Sequence, residues 1–427
     1  MRILKKLLIG SENNVMRRSA IWNLISSVEY SLQSVVLLLF VTRFGGLYEA
    51  GMFTIAYTVT QMMTTIGNYG MREFQVSDTK LEYKFGTYLC SRIISVIIMG
   101  LVCVCYAVLQ GYDTKKMWSL FFLCMYRVAE DIEDVFHGEM QKSMRLDIAA
   151  KIVSIRIFVA TVIFGIVYIM TSDLACASFA LAVTAVALAL VLNVAVKDKF
   201  QRITIKLSFN RTGKLLWICL PLCLSAFLYN YLANAPKYAI DRNLSEEMQA
   251  MFSILFMPIF VINLLSSFIF KPMIANMGMM WNRRKFEEFL GTVVRQLLLI
   301  VGLTAGIMFA GIWLGIDILN CLYGVELTQY RRIFGMLLFF GGFAAIDAFL
   351  MVVLTIVRKQ KYIIIAYGIS AVITLLLADD LVVRYEIMGA GIIYGVSMGT
   401  IMLILMVTLI ITLIEKRNLR GDNKSGK

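Results

Sequence analysis

The chain is 427 residues long, 59% hydrophobic and 16% charged, with four prolines and a formal net charge of +13. Its apolar runs are too long and too numerous for a water-soluble core, because a helix crossing a bilayer needs about 20 such residues. Nucleic-acid binding does not follow from the basic excess either, since most Lys and Arg sit in short polar segments between the apolar runs.

Twelve spans are predicted, at 20–41, 49–70, 86–110, 117–139, 147–170, 174–195, 214–236, 248–270, 293–315, 333–357, 362–382 and 389–414. With the N-terminus placed in the cytoplasm, the inside segments hold 29 of the 41 Lys and Arg residues and the outside segments 8. Arg92, Arg127, Lys151 and Arg156 make up the rest, within spans. The positive-inside bias therefore puts both termini of a multi-pass membrane protein in the cytoplasm; the cytoplasmic membrane of a bacterium or archaeon is the expected location. The opening MRILKKLLIG has too short an apolar run for a cleaved signal peptide, and none is expected.

Span 1 carries Glu29 and Gln33, a polar pair at i,i+4. Span 2 opens an internal repeat. Arg43, Met52, Phe53 and Ile55 recur 199 residues later as Arg242, Met251, Phe252 and Ile254, and Arg72 falls on Lys271. The basic ends of spans 2 and 8 face the same sides, so the halves read as parallel repeats about an axis along the membrane normal. The substrate cavity is expected on that axis. In span 3, Arg92 lies close enough to the cytoplasmic end to snorkel.

Span 4 is the most highly charged. At 100° per residue, Arg127, Glu130, Asp131, Asp134, Gly138, Gln141 and Arg145 form one stripe, with Glu133 pointing elsewhere. Arg127 is expected to pair with Asp131 at i,i+4. Arg156 of span 5 reaches a similar depth, with Asp131 or Asp134 as its expected partner. Intramembrane charge is costly and faces a bundle interior or a wet cavity. Two readings stand: a polar zipper joining spans 4 and 5, or a cavity wall whose acids bind a coupling ion.

The basic segment 197–214 divides the chain into an N-terminal six-helix lobe (1–196) and a C-terminal one (215–427). Span 7 ends in a second polar stripe of Asn230, Asn234, Lys237 and Asp241, and Pro236 is expected to break the helix there. Amide and ammonium groups on one face suit hydroxyl-rich or phosphate-bearing headgroups; the alternative is an interfacial helix end. Asp347 is the only acid near the centre of span 10, a candidate for proton or sodium coupling alongside Asp131 and Asp134. The eight cysteines form no CxxC pair and His137 is the only histidine, so no metal site is expected and no cofactor motif appears.

Four stretches together resemble the polysaccharide flippases of the multidrug/oligosaccharidyl-lipid/polysaccharide (MOP) exporter superfamily: RRSAIWNLISSVEYSLQSVVLLLFVTRFGGLYEAGMFTIAY (17–57), IGNYGMREFQ (66–75), HGEMQKSMRLDIAAKIVSIR (137–156) and APKYAIDRNLSEEMQAMFSILFMP (235–258). The resemblance implies an all-α integral membrane fold of two six-helix lobes around a V-shaped cavity. It also implies movement of a lipid-linked oligosaccharide, carried on a polyprenyl (undecaprenyl) diphosphate, across the membrane by alternating access for surface polysaccharide biosynthesis. By the same resemblance, cavity-facing basic residues hold the diphosphate or sugar acids, and Arg127, Arg156 and Lys237 are the closest candidates by depth. From the polar pair of span 1 and the stripe of span 7, Glu29, Asn230 and Asn234 are further cavity candidates. A polymerase or glycosyltransferases are the expected protein partners. The two extra C-terminal helices of the lipid II flippases have no counterpart here, which makes lipid II the less expected cargo.

Two other classes compete. A drug or metabolite cation-coupled antiporter of the same superfamily would share the fold; a major facilitator would carry a Gly-Asp-Arg-rich loop where this chain has MREFQVSDTKLEYKFG. A membrane polymerase or glycosyltransferase on the same lipid carrier would want a large outer loop or a cytoplasmic DxD, and the chain offers only Asp379-Asp380 at an outer helix end. A transporter, not an enzyme, is the expectation.

Overall fold

The structure is a computed structural model, and it describes residues 5, 8–10, 14–78, 82–200, 209 and 211–425, with backbone alone over 415–425. The expected linker at 197–214 and basic tail lie largely outside the described side chains.

Helix α1 (Val15–Asn68) is interrupted at Gly46, where φ is 79° and ψ −176°. Only glycine adopts that region without strain. Residues 15–45 and 47–68 are therefore two crossings, in the places expected for spans 1 and 2. Tyr69 and Gly70, both at positive φ, turn the chain into the short α2 (Met71–Ser77). Next come α3 (Phe85–Leu109), α4 (Thr114–Lys142), α5 (Leu146–Thr171) and α6 (Leu174–Val196). Asp113 caps α4 by accepting from the Lys116 N–H at 3.1 Å, and Asp173 caps α6 by accepting from the Cys176 N–H at 2.9 Å.

Helix α7 (Thr212–Asn243) runs unbroken through Pro236, contrary to the break expected there. A full break inside the bilayer would strand several backbone groups, whereas the proline strands one carbonyl, so the helix continues. Ser245 then caps α8 (Glu246–Phe270), accepting from the Met248 N–H at 3.4 Å, with Glu246 and Glu247 in the first turn, where the helix dipole favours them. Helix α9 (Ile274–Asn282) is followed by α10 (Phe286–Ala310), which continues through a π turn at Gly311–Gly315 into α11 (Ile316–Tyr323), beyond the predicted end of span 9. Helices α12 (Arg331–Ile356) and α13 (Lys361–Ser425) complete the chain, and α13 is interrupted at Glu386.

Among the described residues, nine helical stretches are long and apolar enough to cross a membrane. Two of them contain the interruptions at Gly46 and Glu386, and α4 falls outside the nine because of its charges, which gives the twelve expected crossings. The protein is an all-α, multi-pass membrane protein.

The chain forms two compact units, Met1–Asn230 and Tyr231–Lys427. In the first, α1 lies against α3, α4 and α5, while α6 covers α4 and α5. In the second, α12 is the central element, contacting α8, α10 and α13. The matched repeat residues are core in both: Phe53 and Ile55 are buried in one unit, Phe252 and Ile254 in the other. Lipid supplies no hydrophobic force between helices, so close packing and buried polar links hold each unit together.

Candidate functional site

The first unit contains a branched polar network centred on α4. Arg156 of α5 donates from Nε to Glu133 Oε2 at 2.6 Å and from Nη1 to the Tyr126 hydroxyl at 3.2 Å. Asn193 of α6 donates to the other Glu133 oxygen at 3.0 Å. The Tyr126 hydroxyl donates to Gln33 Oε1 at 2.8 Å, and Gln33 Nε2 reaches Thr161 Oγ1 at 3.2 Å. Glu130 joins Arg156 to Arg127: it accepts from Arg127 Nη1 at 2.7 Å and lies 3.7 Å from Arg156 Nη2. Four helices thus share one hydrogen-bonded chain at mid-membrane depth.

A second branch lies one turn further along α4. Asp134 receives Arg72 of α2 at 2.6 Å and Arg92 of α3 at 3.0 Å, while Arg92 also donates to the Gly67 carbonyl at 2.9 Å. Arg72 reaches Gln141 Oε1 at 3.1 Å.

These geometries correct several expected pairings. Arg127 pairs with Glu130 at i,i+3 and not with Asp131. The partner of Arg156 is Glu133, expected to point elsewhere, because α5 and α6 approach α4 from that side. Arg92 does not snorkel: it is fully buried and ion-paired. The Glu133–His137 spacing of i,i+4, with His137 Nε2 3.7 Å from Glu133 Oε1, is a sequence signal of a second polar face on α4.

Arg127 is 1% exposed, and its Nε and Nη2 have no hydrogen-bond partner. Its guanidinium carbon stands 4.7 Å from the Tyr57 ring centroid. In the second unit, half-buried Lys237 places Nζ 5.1 Å from the Phe256 ring. Each ring follows a repeat phenylalanine at i+4: Phe53–Tyr57 and Phe252–Phe256 both have centroids 5.5 Å apart. Asn230 and Asn234 are half-buried on the same helix as Lys237.

The three acids considered for ion coupling differ in their surroundings. Asp134 is held between two guanidiniums. Asp131 is 1% exposed, with its Oδ2 unpartnered against Gly67, where an added Cβ would stand 2.1 Å from that oxygen. Asp347 is 2% exposed and neither of its oxygens has a hydrogen-bond partner. Glu29 lies apart from the α4 network, in a slot between residues 29–40 of α1 and α5. Asp379 is held by Arg242 and Asn243, and Asp380 by Arg384, so both acids of the pair are engaged in the second unit. Among the described residues, no three His, Cys, Asp or Glu side chains are grouped to hold a metal.

No family model and no curated protein matches the chain. Solved structures do. A multidrug resistance MATE family transporter of the MOP superfamily, inward-facing, superposes with a TM-score of 0.66 at 12% identity, covering 92% of this chain and 96% of that one. The lipid II flippase MurJ in its inward closed conformation gives a TM-score of 0.70 at 10% identity, covering 92% and 90%. A MOP superfamily transporter from Pyrococcus furiosus gives 0.55 at 14% identity, covering 97% and 98%. The fold is that of a polytopic helical transporter. More narrowly, it is the fold shared by the MATE and MurJ proteins of the MOP superfamily.

Proposed function

We propose that the protein is a flippase that moves a lipid-linked oligosaccharide, carried on a polyprenyl diphosphate, across the cytoplasmic membrane by alternating access. The observation that carries this reading is the pair of cations held over repeat-related rings. Arg127 keeps two guanidinium nitrogens unpartnered, and among the described residues no ion pair holds Lys237. A buried cation of this kind is normally matched by an anion. A diphosphate or a sugar carboxylate supplies one, and Arg127 offers it two N–H groups in a fixed fork. Arg156 serves as a positioning group, its guanidinium committed to Glu133 and Tyr126. Asn234 and Asn230, about one and two turns before Lys237, would bind sugar hydroxyls.

Coupling to a proton or sodium gradient is assigned to Asp347, with Asp131 as the second candidate, because each has a buried carboxylate oxygen without a partner. Asp134 is the weaker choice, since two arginines already neutralise it. The same isolated Asp347 would serve a drug or metabolite antiporter of this fold, so cargo and not coupling separates the two readings. The test is flipping of a fluorescent polyprenyl-diphosphate oligosaccharide in proteoliposomes, compared with efflux of cationic dyes. Flipping that is absent while dye efflux is present would favour the antiporter.

A further inference from the structure

Glu29 is the least explained acid in the first unit. It sits fourteen residues into α1, near the middle of a crossing; its Oε2 is buried without a hydrogen-bond partner, and no described cation pairs with it. It lines one end of a slot of about 460 Å³ between α1 and α5. The slot runs from Glu29 to Phe40 on one wall, roughly 16 Å at the helical rise of about 1.5 Å per residue. The other wall includes Phe158 and Ile166, whose side chains are open on the outer face of the helix at 63% and 52% exposure. On a membrane-spanning helix such apolar exposure faces lipid, so the slot opens sideways into the bilayer.

The chemistry of the slot is uneven. Its walls are aliphatic and aromatic, and its volume falls in the range that holds a small organic molecule. Its only charged member is Glu29, with Gln33 and Thr161 beside it already hydrogen-bonded to each other. An acyl chain would satisfy the walls and leave the carboxyl unpaired at mid-membrane, where an isolated charge is costly. A hydrated metal ion would satisfy the carboxyl and leave the walls unfilled. One class of ligand satisfies both: an ammonium carried on an apolar body, with Phe158 and Phe40 available to its hydrocarbon and cationic parts.

We infer that the slot between α1 and α5 binds an apolar organic amine entering from the bilayer, with Glu29 as its counter-charge. This site is separate from the cations assigned to the oligosaccharide and does not depend on that reading. It is nevertheless connected to them, because Gln33 accepts from Tyr126 and Tyr126 accepts from Arg156. Gln33, which lines the slot beside Glu29, is thus the slot's link to the α4 network.

The test uses the full chain in lipid nanodiscs with two photoreactive probes, a benzophenone-bearing octylamine and its N-acetyl derivative. The amine is expected to label saturably, on residues 29–40 and 157–169, with half-saturation about ten-fold lower than the neutral acetamide. Glu29→Gln should abolish that difference, and Ile166→Trp, which fills the slot, should lower labelling by both probes. Should Glu29→Gln fail to fold, competition of labelling by unlabelled octylamine against octanol in the wild type reads the same charge preference. Equal half-saturation for the two probes, an amine advantage retained in Glu29→Gln, or non-saturable labelling spread over all lipid-facing helices would overturn the proposal.

Discussion

Tyr57 and Phe256 stand 199 residues apart in the internal repeat, and each lies under a cation: Arg127 at 4.7 Å in one unit and Lys237 at 5.1 Å in the other. The repeat therefore preserves a ring and a cation while changing what surrounds them. In the first unit the cation comes from α4 and is tied to Glu130; in the second it comes from α7. The Tyr57 contact should be measurable by a double-mutant cycle with Tyr57→Leu and Arg127→Met. A coupling of about 1–2 kcal/mol in unfolding is expected for a desolvated cation over an aromatic face. Additive effects would mean that the ring only fills space.

Glu133 is wholly buried and accepts from both Arg156 and Asn193. Glu133→Ala leaves the Arg156 charge with one oblique acid and should destabilise the protein by about 3–5 kcal/mol, read as a lowered unfolding midpoint in detergent. Replacing the pair together, Glu133→Leu with Arg156→Met, should recover most of that loss. A double variant as unstable as the single one would show that the network, and not the ion pair, carries the stability.

Asp347 should govern the dependence of transport on the driving gradient. Asp347→Asn is expected to fold, since neither oxygen accepts a hydrogen bond, and to lose the acceleration that an imposed proton or sodium gradient gives the wild type. Identical rates with and without each gradient, in both proteins, would remove Asp347 from coupling.

Asp78, in the connection between α2 and α3, offers a pH-dependent check outside the spans. Burial pushes its carboxyl up, but the N–H groups of Glu82 and Tyr83 and the Tyr88 hydroxyl outweigh burial and hold it below the ordinary value of 3.8. A lowered folded value means that its stabilising contribution is fully present above the unfolded value and is lost as pH falls through the folded one. Asp78→Asn should therefore lower the unfolding midpoint at neutral pH, with the gap to wild type closing in acid below the ordinary value. A gap that is constant with pH would mean the loop is held by shape alone.

Much of the architecture was legible in the sequence because bilayer thickness imposes span length and lipid tolerates no unpaired backbone. The twelve crossings follow from those two constraints, and Gly46 marks the turn between the first two. The repeat was legible because Phe53 and Phe252 are core in both units. Partner choice was not. A helical wheel places Glu133 off the charged stripe of α4, yet α5 and α6 bring Arg156 and Asn193 to that side. Which neighbour faces which arc of a helix is a tertiary fact with no local signature. Arg92 shows the same limit: its depth suggests snorkelling, while Asp134 and the Gly67 carbonyl stand within reach across the helix interface. Pro236 shows the opposite limit, a local rule overridden by the need to keep a lipid-embedded backbone paired.

Flipping by Arg127→Ala tests the transport reading most directly. Proteoliposomes carrying wild type or variant would be loaded with a fluorescent polyprenyl-diphosphate oligosaccharide, and its transfer between leaflets followed by quenching from outside. The flippase reading predicts transfer in the wild type and at least a ten-fold slower rate in the variant at equal reconstituted protein, one order of magnitude being about 1.4 kcal/mol of lost interaction. Equal rates in the two proteins, or transfer no faster than in protein-free vesicles, would contradict it.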